Sequence, residues 1–537
     1  MQNRLYITAV LTGILLHAIV FSRHEWDRHA PRIVIYAYVL YVAAVGLLIV
    51  KGGFTFGQSI LETLILGAAL LSGLFGSMVT YRLFLHPLHL FPGPLVARLT
   101  SFWVIQQSIP DLKFYVKLRG LHDRYGDFVR IRPREVSICH PDAVIDVHGP
   151  RSRIRKGEWY DLTYPHPNLQ AVRDPELHRK QRPYWDKAFQ SNALQEYTPR
   201  LAAHYKILMS MFDSHATLGT SVDASGAFLD LFFDVISDLT FGKSFNGLTT
   251  KQRSPIVEEF LKRQRPGGFL LLHIPILHIV RQLSMKTIKK WEHWYEAALE
   301  ARKTMRTETS DIYTYLSKSD GFMSNLVGEA ELIMVAGADT NAITITNVCY
   351  LMCRHPEYQT KLYEELAELP TIDGIIDDQH LVGKPYLTGI INEALRLHPP
   401  APSGVQRLTP PEGAVIAGRY IPGDIVVTTP TYSLHRDPRT FARPNDFIPE
   451  RWSSKPELVL RKEAFLPFGY GAYNCSGKPL AMLQLRMVVA MIFKQFEVSF
   501  APDKELECQH FVDHQADCFT LHLEPLPLLL KKRQTVD

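Results

Sequence analysis

A turn-rich segment around a single cysteine limits the structure of this 537-residue chain more than any other part of it. It runs from Phe468 to Gly477 and leads straight into the apolar helical stretch 480–485. Gly471 and Gly477 permit a tight, partly left-handed backbone that points N–H groups at a sulfur atom. The positive end of the following helix also favours an anion there. We therefore interpret the segment as a socket in which the Cys475 thiolate binds a metal and Phe468 covers the sulfur.

The pattern Phe-x-x-Gly-x-x-x-Cys-x-Gly resembles the haem-binding loop of the cytochrome P-450 family. The resemblance implies that Cys475 is the axial ligand of a haem iron. In the family, Arg or His usually stands two residues before the cysteine and contacts a haem propionate, whereas this chain has Tyr473. Which residue replaces that contact stays open. The simpler alternative is that Cys475 is one more small buried side chain in a loop.

A second stretch, 332–343, is apolar on nearly all sides and predicts a helix through the centre of the protein. It resembles the family's Ala-Gly-x-Asp-Thr oxygen-binding groove, which implies that Thr340 and Asp339 supply protons while dioxygen is reduced. Gly337 is expected to open the helix backbone, and Asn341, which replaces a frequent second threonine, to matter little. The alternative is a structural helix in which Thr340 bonds its own backbone beside a salt-bridged Asp339.

A third motif is the pair Glu393 and Arg396, whose spacing of three places both charges on one helix face. Downstream, the segment 449–452 resembles the family's Pro-Glu-Arg-aromatic sequence. The resemblance implies a network of Glu393, Arg396 and Arg451 that locks the core beside the haem and has no catalytic role.

Haem also carries two propionates, which favour cationic donors. His178 and Arg182 lie four residues apart on one helix face and resemble a propionate-binding helix of the family. Arg407 occupies the place of another propionate contact. Taken singly, each of these side chains is more commonly a solvated surface group, but their order favours contact for Arg182 and Arg407.

Three apolar runs open the chain, and each is close to the roughly 20 residues that a membrane-spanning helix needs. The runs are 5–21, 33–50 and 60–79. They predict an N-terminal membrane anchor at 1–81 with up to three transmembrane helices in contact with lipid. The alternative is one spanning helix and two interfacial segments, because Glu62 and the Gly52-Gly53 pair weaken the third run.

The loop between the first two runs carries Arg23, Arg28 and Arg32, whereas the next loop carries only Lys51. By the positive-inside rule the first loop is cytosolic, which also places the catalytic domain in the cytosol. For a member of this family, such an anchor implies the endoplasmic reticulum.

The rest of the chain is expected to form a proline-rich hinge at 82–95 and one catalytic domain at 96–537. The predicted fold is mainly α with small β-sheets, a cytochrome P-450 fold with a long central helix over the haem. Local patterns predict a helix that ends at Gly126, an edge strand at 128–132 and a loop at 265–268.

Composition narrows the possible partners. The net charge of +5 comes from 59 basic and 54 acidic residues, which is too balanced for a nucleic-acid binder. No Gly-x-Gly-x-x-Gly fingerprint follows Phe500, so electrons must come from another protein. The family implies an NADPH-cytochrome P-450 reductase that docks near Cys475, with Arg179, Lys180 and Lys478 as basic contacts.

The expected function is a haem-dependent monooxygenase that inserts one oxygen atom of O2 into a hydrophobic small molecule, as in fungal secondary-metabolite members of the family. The substrate pocket is expected between 335–336 and the loops 155–165, 403–407 and 511–520. Two alternatives remain: a haem-thiolate isomerase or dehydratase that does not use O2, and a membrane haem sensor without turnover. The intact Asp339-Thr340 sequence argues against the first.

Overall fold

The computed structural model describes residues 2–23, 25–164, 166–250, 252–307, 309–318 and 325–533. Within these ranges the chain is mainly helical, with short strands in small sheets, as the sequence predicts.

Three long apolar helices open the chain. They are α1 (Gln2–Leu15), which continues as a π-helical turn to Phe21, α2 (Ala30–Val50) and α3 (Phe56–Thr80). Each of the three, with its short extensions, is long and apolar enough to cross a membrane, and their sides are mostly exposed. Several N-terminal helices therefore fit a membrane anchor.

Helices α1 and α3 pack against each other at two glycines. A Cβ atom on Gly13 or on Gly73 would lie 2.0 Å from a backbone carbonyl oxygen of the facing helix. Such contact between small residues is a common way for membrane helices to associate. The Tyr6 hydroxyl donates to Glu62 at 2.8 Å, so the carboxylate that weakened the third apolar run has a partner within the helix pair.

Besides the strands given below, the described residues in the first half of the remaining chain form twelve helices. They are α4 (Leu95–Leu99), α5 (Phe102–Ser108), α6 (Phe114–Tyr125), α7 (Ala143–His148), α8 (Pro175–Ala188), α9 (Ser191–Leu218), α10 (Ala224–Phe241), α11 (Gly247–Thr250), α12 (Pro255–Leu271), α13 (Ile274–Leu283), α14 (Met285–Thr304) and α15 (Ile312–Leu316). As predicted, α6 ends where Gly126 turns to φ 87°.

Seven more helices follow within the described residues. They are α16 (Leu326–Arg354), α17 (Glu357–Leu366), α18 (Asp378–Leu381), α19 (Pro385–Leu397), α20 (Thr431–Leu434), α21 (Lys478–Gln495) and α22 (Glu505–Gln509). The central helix is α16, in which every residue from 341 to 352 is buried. Helices α10, α19 and α21 pack against it, so α16 fixes the positions of its neighbours around one core.

The strands of the described residues form four small sheets. They are β1 (Phe128–Arg132), β2 (Glu135–Ile138), β3 (Val222–Asp223), β4 (Gln406–Leu408), β5 (Ala414–Ile416), β6 (Arg419–Ile421), β7 (Val426–Thr428), β8 (Phe496–Phe500), β9 (Ala516–Cys518), β10 (Thr520–His522) and β11 (Pro527–Lys532). The sheet orders are β1-β2-β7-β4, β5-β6, β3-β11-β8 and β9-β10. In the largest sheet, β1 is the predicted edge strand; β2 runs parallel to β7, and β4 runs antiparallel to it with Arg407 opposite Val427.

One local prediction is wrong. Residues 265–268, with one proline and two glycines, were expected to form a loop, but they lie inside α12. Gly268 lets the helix approach β9, since a Cβ there would lie 3.0 Å from Cys518 Cα. Close packing of a helix on a strand accounts for this glycine, and the helix continues through Pro266 despite the backbone hydrogen bond that proline removes.

The loop between α1 and α2 touches the rest of the protein. Arg173 donates two hydrogen bonds to the Glu25 carboxylate, both at 2.8 Å, and a third to Asp161 at 2.9 Å. The guanidinium of Arg28 lies 5.4 Å from the centre of the Tyr164 ring. Helix α2 also packs against α13. The apolar N-terminal helices therefore have a second attachment to the chain besides the linking backbone.

Candidate active site

Cys475 lies between a 3-10 turn, Gly471–Tyr473, and the start of α21. Its backbone N–H donates to the Phe468 carbonyl at 2.8 Å, which closes the loop. The backbone N–H groups of Gly477 and Lys478 hydrogen-bond to its sulfur. Donors of this kind stabilise a thiolate. Coverage of the sulfur by the Phe468 ring, which is half-buried, stays a prediction.

The loop uses its glycines differently from our expectation. Gly471 adopts φ 70°, and a Cβ there would lie 1.8 Å from the His148 carbonyl oxygen. Gly469 is the other left-handed glycine, with φ 67°. Gly477 has φ −77°, which any residue can adopt, so the prediction of a left-handed Gly477 is wrong. Its contribution is the N–H that faces the sulfur.

Arg182, on α8, holds the cysteine loop. Its guanidinium donates to the backbone carbonyl of Asn474 at 2.8 Å and to the side-chain oxygen of the same residue at 2.7 Å. Its Nε donates to Asp186 at 2.7 Å. These bonds occupy much of the guanidinium predicted to bind a propionate, so Arg182 positions the residue next to Cys475.

The side chain of Cys475 is accessible from an open cavity of about 580 Å3 that is also lined by Arg182 and Lys478. Protein nevertheless surrounds it on most sides, and this burial raises the pKa of the thiol. The N–H groups of Gly477 and Lys478 and the charge of Arg182 oppose that rise. The same groups would stabilise a sulfur that binds a metal ion as thiolate.

Asp339 and Thr340 lie in the middle of α16. The Thr340 hydroxyl donates to the Ala336 carbonyl at 2.7 Å, and Ala336 and Thr340 lie on a side of the helix that is not fully buried. The buried Asp339 carboxyl accepts from Thr520 at 2.5 Å and from Gln264 at 3.3 Å. It forms no ion pair within the part of the chain that the structure describes, which contradicts the salt-bridged Asp339 of the structural alternative. The bond of Thr340 to its own helix backbone is the one that this alternative predicted.

Burial raises the pKa of Asp339 to about 7, although the two hydrogen bonds favour its charged form. The carboxyl is therefore partly protonated near neutral pH and can act as an acid. The hydrogen bonds continue outward, because His522 Nδ1 lies 2.7 Å from the Gln264 side-chain oxygen. Our sequence analysis missed Gln264, Thr520 and His522, which no motif connects to Asp339.

Two neighbours of the pair have packing roles that the sequence did not reveal. A Cβ on Gly337 would lie 2.8 Å from the Ile236 side chain of α10, so close helix packing explains this glycine. Asn341 donates to Gln484 of α21 at 2.8 Å. That hydrogen bond ties the helix of Asp339 to the helix that follows Cys475, and the expectation that Asn341 matters little for the chemistry stays a prediction.

The structure brings Glu393, Arg396 and Arg451 together, all fully buried. Arg396 donates to both carboxylate oxygens of Glu393, at 2.9 and 2.7 Å, and Arg451 donates to one of them at 2.9 Å. The two arginines also donate to six backbone carbonyl groups of the segment 435–458. The network fixes this segment against α19.

The predicted propionate contacts His178 and Arg407 meet at Tyr473. The His178 ring lies 4.8 Å from the Tyr473 ring, and the Arg407 guanidinium lies 5.1 Å from its centre. Lys156 approaches the same ring to 4.8 Å, and Arg407 donates to the Tyr160 hydroxyl. Neither Lys156 nor Tyr160 was identified from the sequence as a site residue, because no sequence motif includes them.

These residues fit a haem on two grounds. Cys475 offers a sulfur with N–H donors around it, as an iron-binding thiolate requires. Arg407 is buried, its Nε has no hydrogen-bond partner, and it forms no ion pair among the described residues. An orphaned guanidinium donor in the interior calls for an anion, and the propionates of a haem supply one.

Comparison with known proteins agrees with this site. The family model for cytochrome P450 matches residues 92–516. Cytochrome P450 monooxygenase nodW of Hypoxylon pulicicidum is 34% identical over 528 residues, which cover 97% of each chain. Cytochrome P450 monooxygenase FCK2 of Fusarium pseudograminearum is 34% identical over 99% of this chain and 98% of its own. Tryprostatin B 6-hydroxylase of Neosartorya fischeri is 31% identical over 98% of each chain.

The fold agrees as well. The crystal structure of a cytochrome P450 (CYP102L1) superposes with a TM-score of 0.65 and covers 78% of this chain and 94% of its own, at 20% sequence identity. A family match over most of the chain, relatives that match nearly its whole length and a cysteine loop suited to haem iron lead to one conclusion. The chain belongs to the cytochrome P450 family and is a haem-thiolate monooxygenase.

Proposed function

We propose that the enzyme hydroxylates, or oxidises in a related way, a mid-sized hydrophobic molecule in secondary-metabolite biosynthesis, with Cys475 as the iron ligand. The observation that carries this proposal is the buried Asp339 carboxyl, which is hydrogen-bonded to Thr520 and Gln264 and precedes Thr340 in α16. A relative named as a hydroxylase, similar over nearly the full chain, supports the reaction type.

When bound, haem activates dioxygen and transfers one oxygen atom to the substrate, while the other leaves as water. The chain's own residues manage the protons. The Thr340 hydroxyl would pass on a proton at the accessible part of α16, releasing its bond to the Ala336 carbonyl, and would take a replacement proton from the Asp339 carboxyl. Asp339 holds the next proton, and hydrogen bonds from Thr520 and Gln264 keep its carboxyl in place.

The substrate pocket is proposed to lie between 335–336 and the loops 155–165, 403–407 and 511–520. The first and last of these loops meet through aromatic rings. The Trp159 and Phe519 rings stack with centres 4.8 Å apart and planes inclined by 29°. Thr520, next to Phe519, donates to Asp339, so this aromatic pair is tied to the central helix. Apolar aromatic walls favour a hydrophobic substrate over a charged one.

Electrons are proposed to come from NADPH-cytochrome P-450 reductase, docked on the side of the protein where the cavity reaches Cys475. Lys478 lines that cavity, and Arg179 and Lys180 are exposed on α8. Charge reversal at these three positions should slow reduction, and more so at low ionic strength. Unchanged reduction rates would place the docking surface elsewhere.

The proposed anchor comprises 1–81, joined by the hinge 82–95 to a catalytic domain at 96–537 that faces the cytosol from the endoplasmic reticulum. The contact of Glu25 with Arg173 supports this orientation, because it places the first loop on the same side as the catalytic domain. Proteolysis of sealed microsomes should digest the catalytic domain without detergent. Protection of the domain would reverse the orientation.

The first test is the carbon monoxide difference spectrum of the reduced protein. The unsubstituted protein should show the strongly red-shifted band of thiolate-ligated haem, and Cys475→Ala should abolish this band. Cys353→Ala, which removes a half-buried cysteine of α16, is the matched control and should keep the band. A red-shifted band in Cys475→Ala would refute the assignment.

The second test adds the reductase, NADPH and candidate hydrophobic substrates. Oxygenated product formed with consumption of NADPH and O2 supports the proposed function. Product formed without either would favour an isomerase or dehydratase, and no product or NADPH consumption with any substrate would favour a sensor.

A further inference from the structure

Tyr473 stands two residues before Cys475, where the family resemblance implies a cationic propionate donor, and a tyrosine cannot supply that charge. We propose that Lys156, from the loop before α8, supplies it instead and binds a haem propionate together with Arg407. The proposal rests on the haem site described above and assigns to Lys156 a role that no sequence motif indicates.

The first argument is the isolation of a buried charge. Lys156 is only 3% exposed, and its ammonium donates to a single acceptor, the Leu169 carbonyl at 3.1 Å. Within the described residues it forms no ion pair. An ammonium has three N–H donors and is costly to bury without a counter-ion. Among the residues that the structure describes, two of the N–H donors of Lys156 therefore lack an acceptor, and its charge lacks a counter-ion.

The second argument is that the neighbouring charged groups are already engaged. Glu329 is the carboxyl that acts on Lys156, but its oxygens accept the Leu169 N–H at 2.9 and 3.2 Å, and burial raises its pKa to about 7. Arg182 is bound to Asp186 and the cysteine loop. Burial and the nearby charges of Arg407 and Arg182 lower the pKa of Lys156 to about 7, as expected for cations that lack an anion.

The third argument is the geometry of the two free cations. Lys156 Nζ lies 4.8 Å from the centre of the Tyr473 ring and 5.3 Å from that of Tyr160. The Arg407 guanidinium lies 5.1 and 5.6 Å from the same two centres. Both cations therefore make cation–π contacts with the same two tyrosine rings. An arginine at 473 would bring a third positive charge between them, which explains why an aromatic residue suits this position.

The test measures how long the ferric protein retains its haem, without any turnover. Full-length protein in detergent is loaded with haem, and transfer of the haem to excess apomyoglobin is followed by absorbance. Lys156→Met should lose haem about tenfold to a hundredfold faster, the range expected for one charge-assisted contact. Lys156→Arg, which keeps the cation, should stay within severalfold of the original rate. Lys455→Met, at an exposed lysine, should show no change.

Two further arms separate a propionate contact from a structural role. Loading with haem dimethyl ester, whose propionates carry no charge, should remove the difference between the original chain and Lys156→Met. Adding Tyr473→Arg to Lys156→Met should restore much of the haem retention. If Lys156→Met fails to fold, Lys156→Gln, which can still donate to the Leu169 carbonyl, replaces it in every arm.

Equal haem loss from Lys156→Met and Lys455→Met overturns the proposal, and so does a difference that persists with the dimethyl ester. Loss of the thiolate-type spectrum in the original chain would instead mark a failure of the Cys475 assignment.

Discussion

Replacing Glu393 by glutamine tests whether the buried network stabilises the fold as strongly as its geometry implies. Glu393 accepts five hydrogen bonds, from two guanidinium nitrogens of Arg396, one of Arg451, the Trp452 indole and the Ile448 backbone, all at 2.7–3.0 Å. Glutamine keeps one acceptor oxygen and turns an NH2 donor toward a guanidinium. Two cations that are fully buried then lose their counter-charge.

Breaking such a buried pair typically costs about 3–5 kcal/mol, out of a total folding free energy of about 5–15 kcal/mol. The chain offers a matched control, because Asp446 pairs with Arg443 at the same spacing and at 2.8 Å but with side chains 48% and 68% exposed. Asp446→Asn should therefore cost less than about 0.5 kcal/mol. The comparison isolates burial, since spacing and distance are nearly the same in the two pairs.

The assay is urea unfolding of the haem-loaded full chain in detergent, followed by Soret absorbance and tryptophan fluorescence. Arg396→Lys is a second variant, which keeps the charge but cannot reproduce the five donors that Arg396 uses, and it should also be clearly destabilised. A loss for Glu393→Gln within about 0.5 kcal/mol of that for Asp446→Asn would refute the reasoning from burial.

Four other predictions concern catalysis and stability. Thr340→Ala should continue to oxidise NADPH but release peroxide with about tenfold less product, whereas Thr340→Ser should stay coupled; unchanged coupling in the alanine variant would remove this hydroxyl from proton transfer. Because the pKa of Asp339 is raised to about 7, product per NADPH should fall as pH rises through about 7, and Asp339→Asn should lack that fall. Between about pH 4 and 7 the Asp339 carboxyl is neutral in the folded chain but charged in the unfolded chain. Its contribution to the free energy of unfolding is therefore lost as pH rises across that window. Asp339→Asn should flatten this pH dependence in urea titrations. Lys478→Glu should raise the reductase concentration needed for half-maximal rate severalfold at low salt while leaving the carbon monoxide spectrum intact.

Local sequence patterns predicted much of the fold, because they depend on neighbouring residues. The edge strand 128–132 and the helix end at Gly126 follow from alternation and from glycine at a helix terminus. The apolar runs lie within or across α1, α2 and α3, and the central helix at 332–343 is part of α16. The wrong prediction of a loop at 265–268 also came from a local pattern, since packing of the helix on β9 outweighs the helix-breaking tendency of its proline and glycines.

The candidate site was predictable only where a motif names its members. Glu393, Arg396 and Arg451 come together as the resemblance implied, although 55 residues of chain separate Arg396 from Arg451. The sequence did not indicate Lys156 or Gln264, because their roles depend on burial and on partners that come near only in the folded chain. Neither propensity nor spacing encodes such long-range contacts.

The double attachment of the N-terminal helices has a mechanical consequence. A body tied at one point can swivel freely about that point, whereas a body tied at two points retains only rotation about the line that joins them. The backbone after α3 is the first tie, and Arg173 with Glu25 is the second. Arg173 also donates to Asp161, which lies two residues from Trp159 in the chain. The second attachment therefore restricts how the rest of the protein can rotate relative to the N-terminal helices.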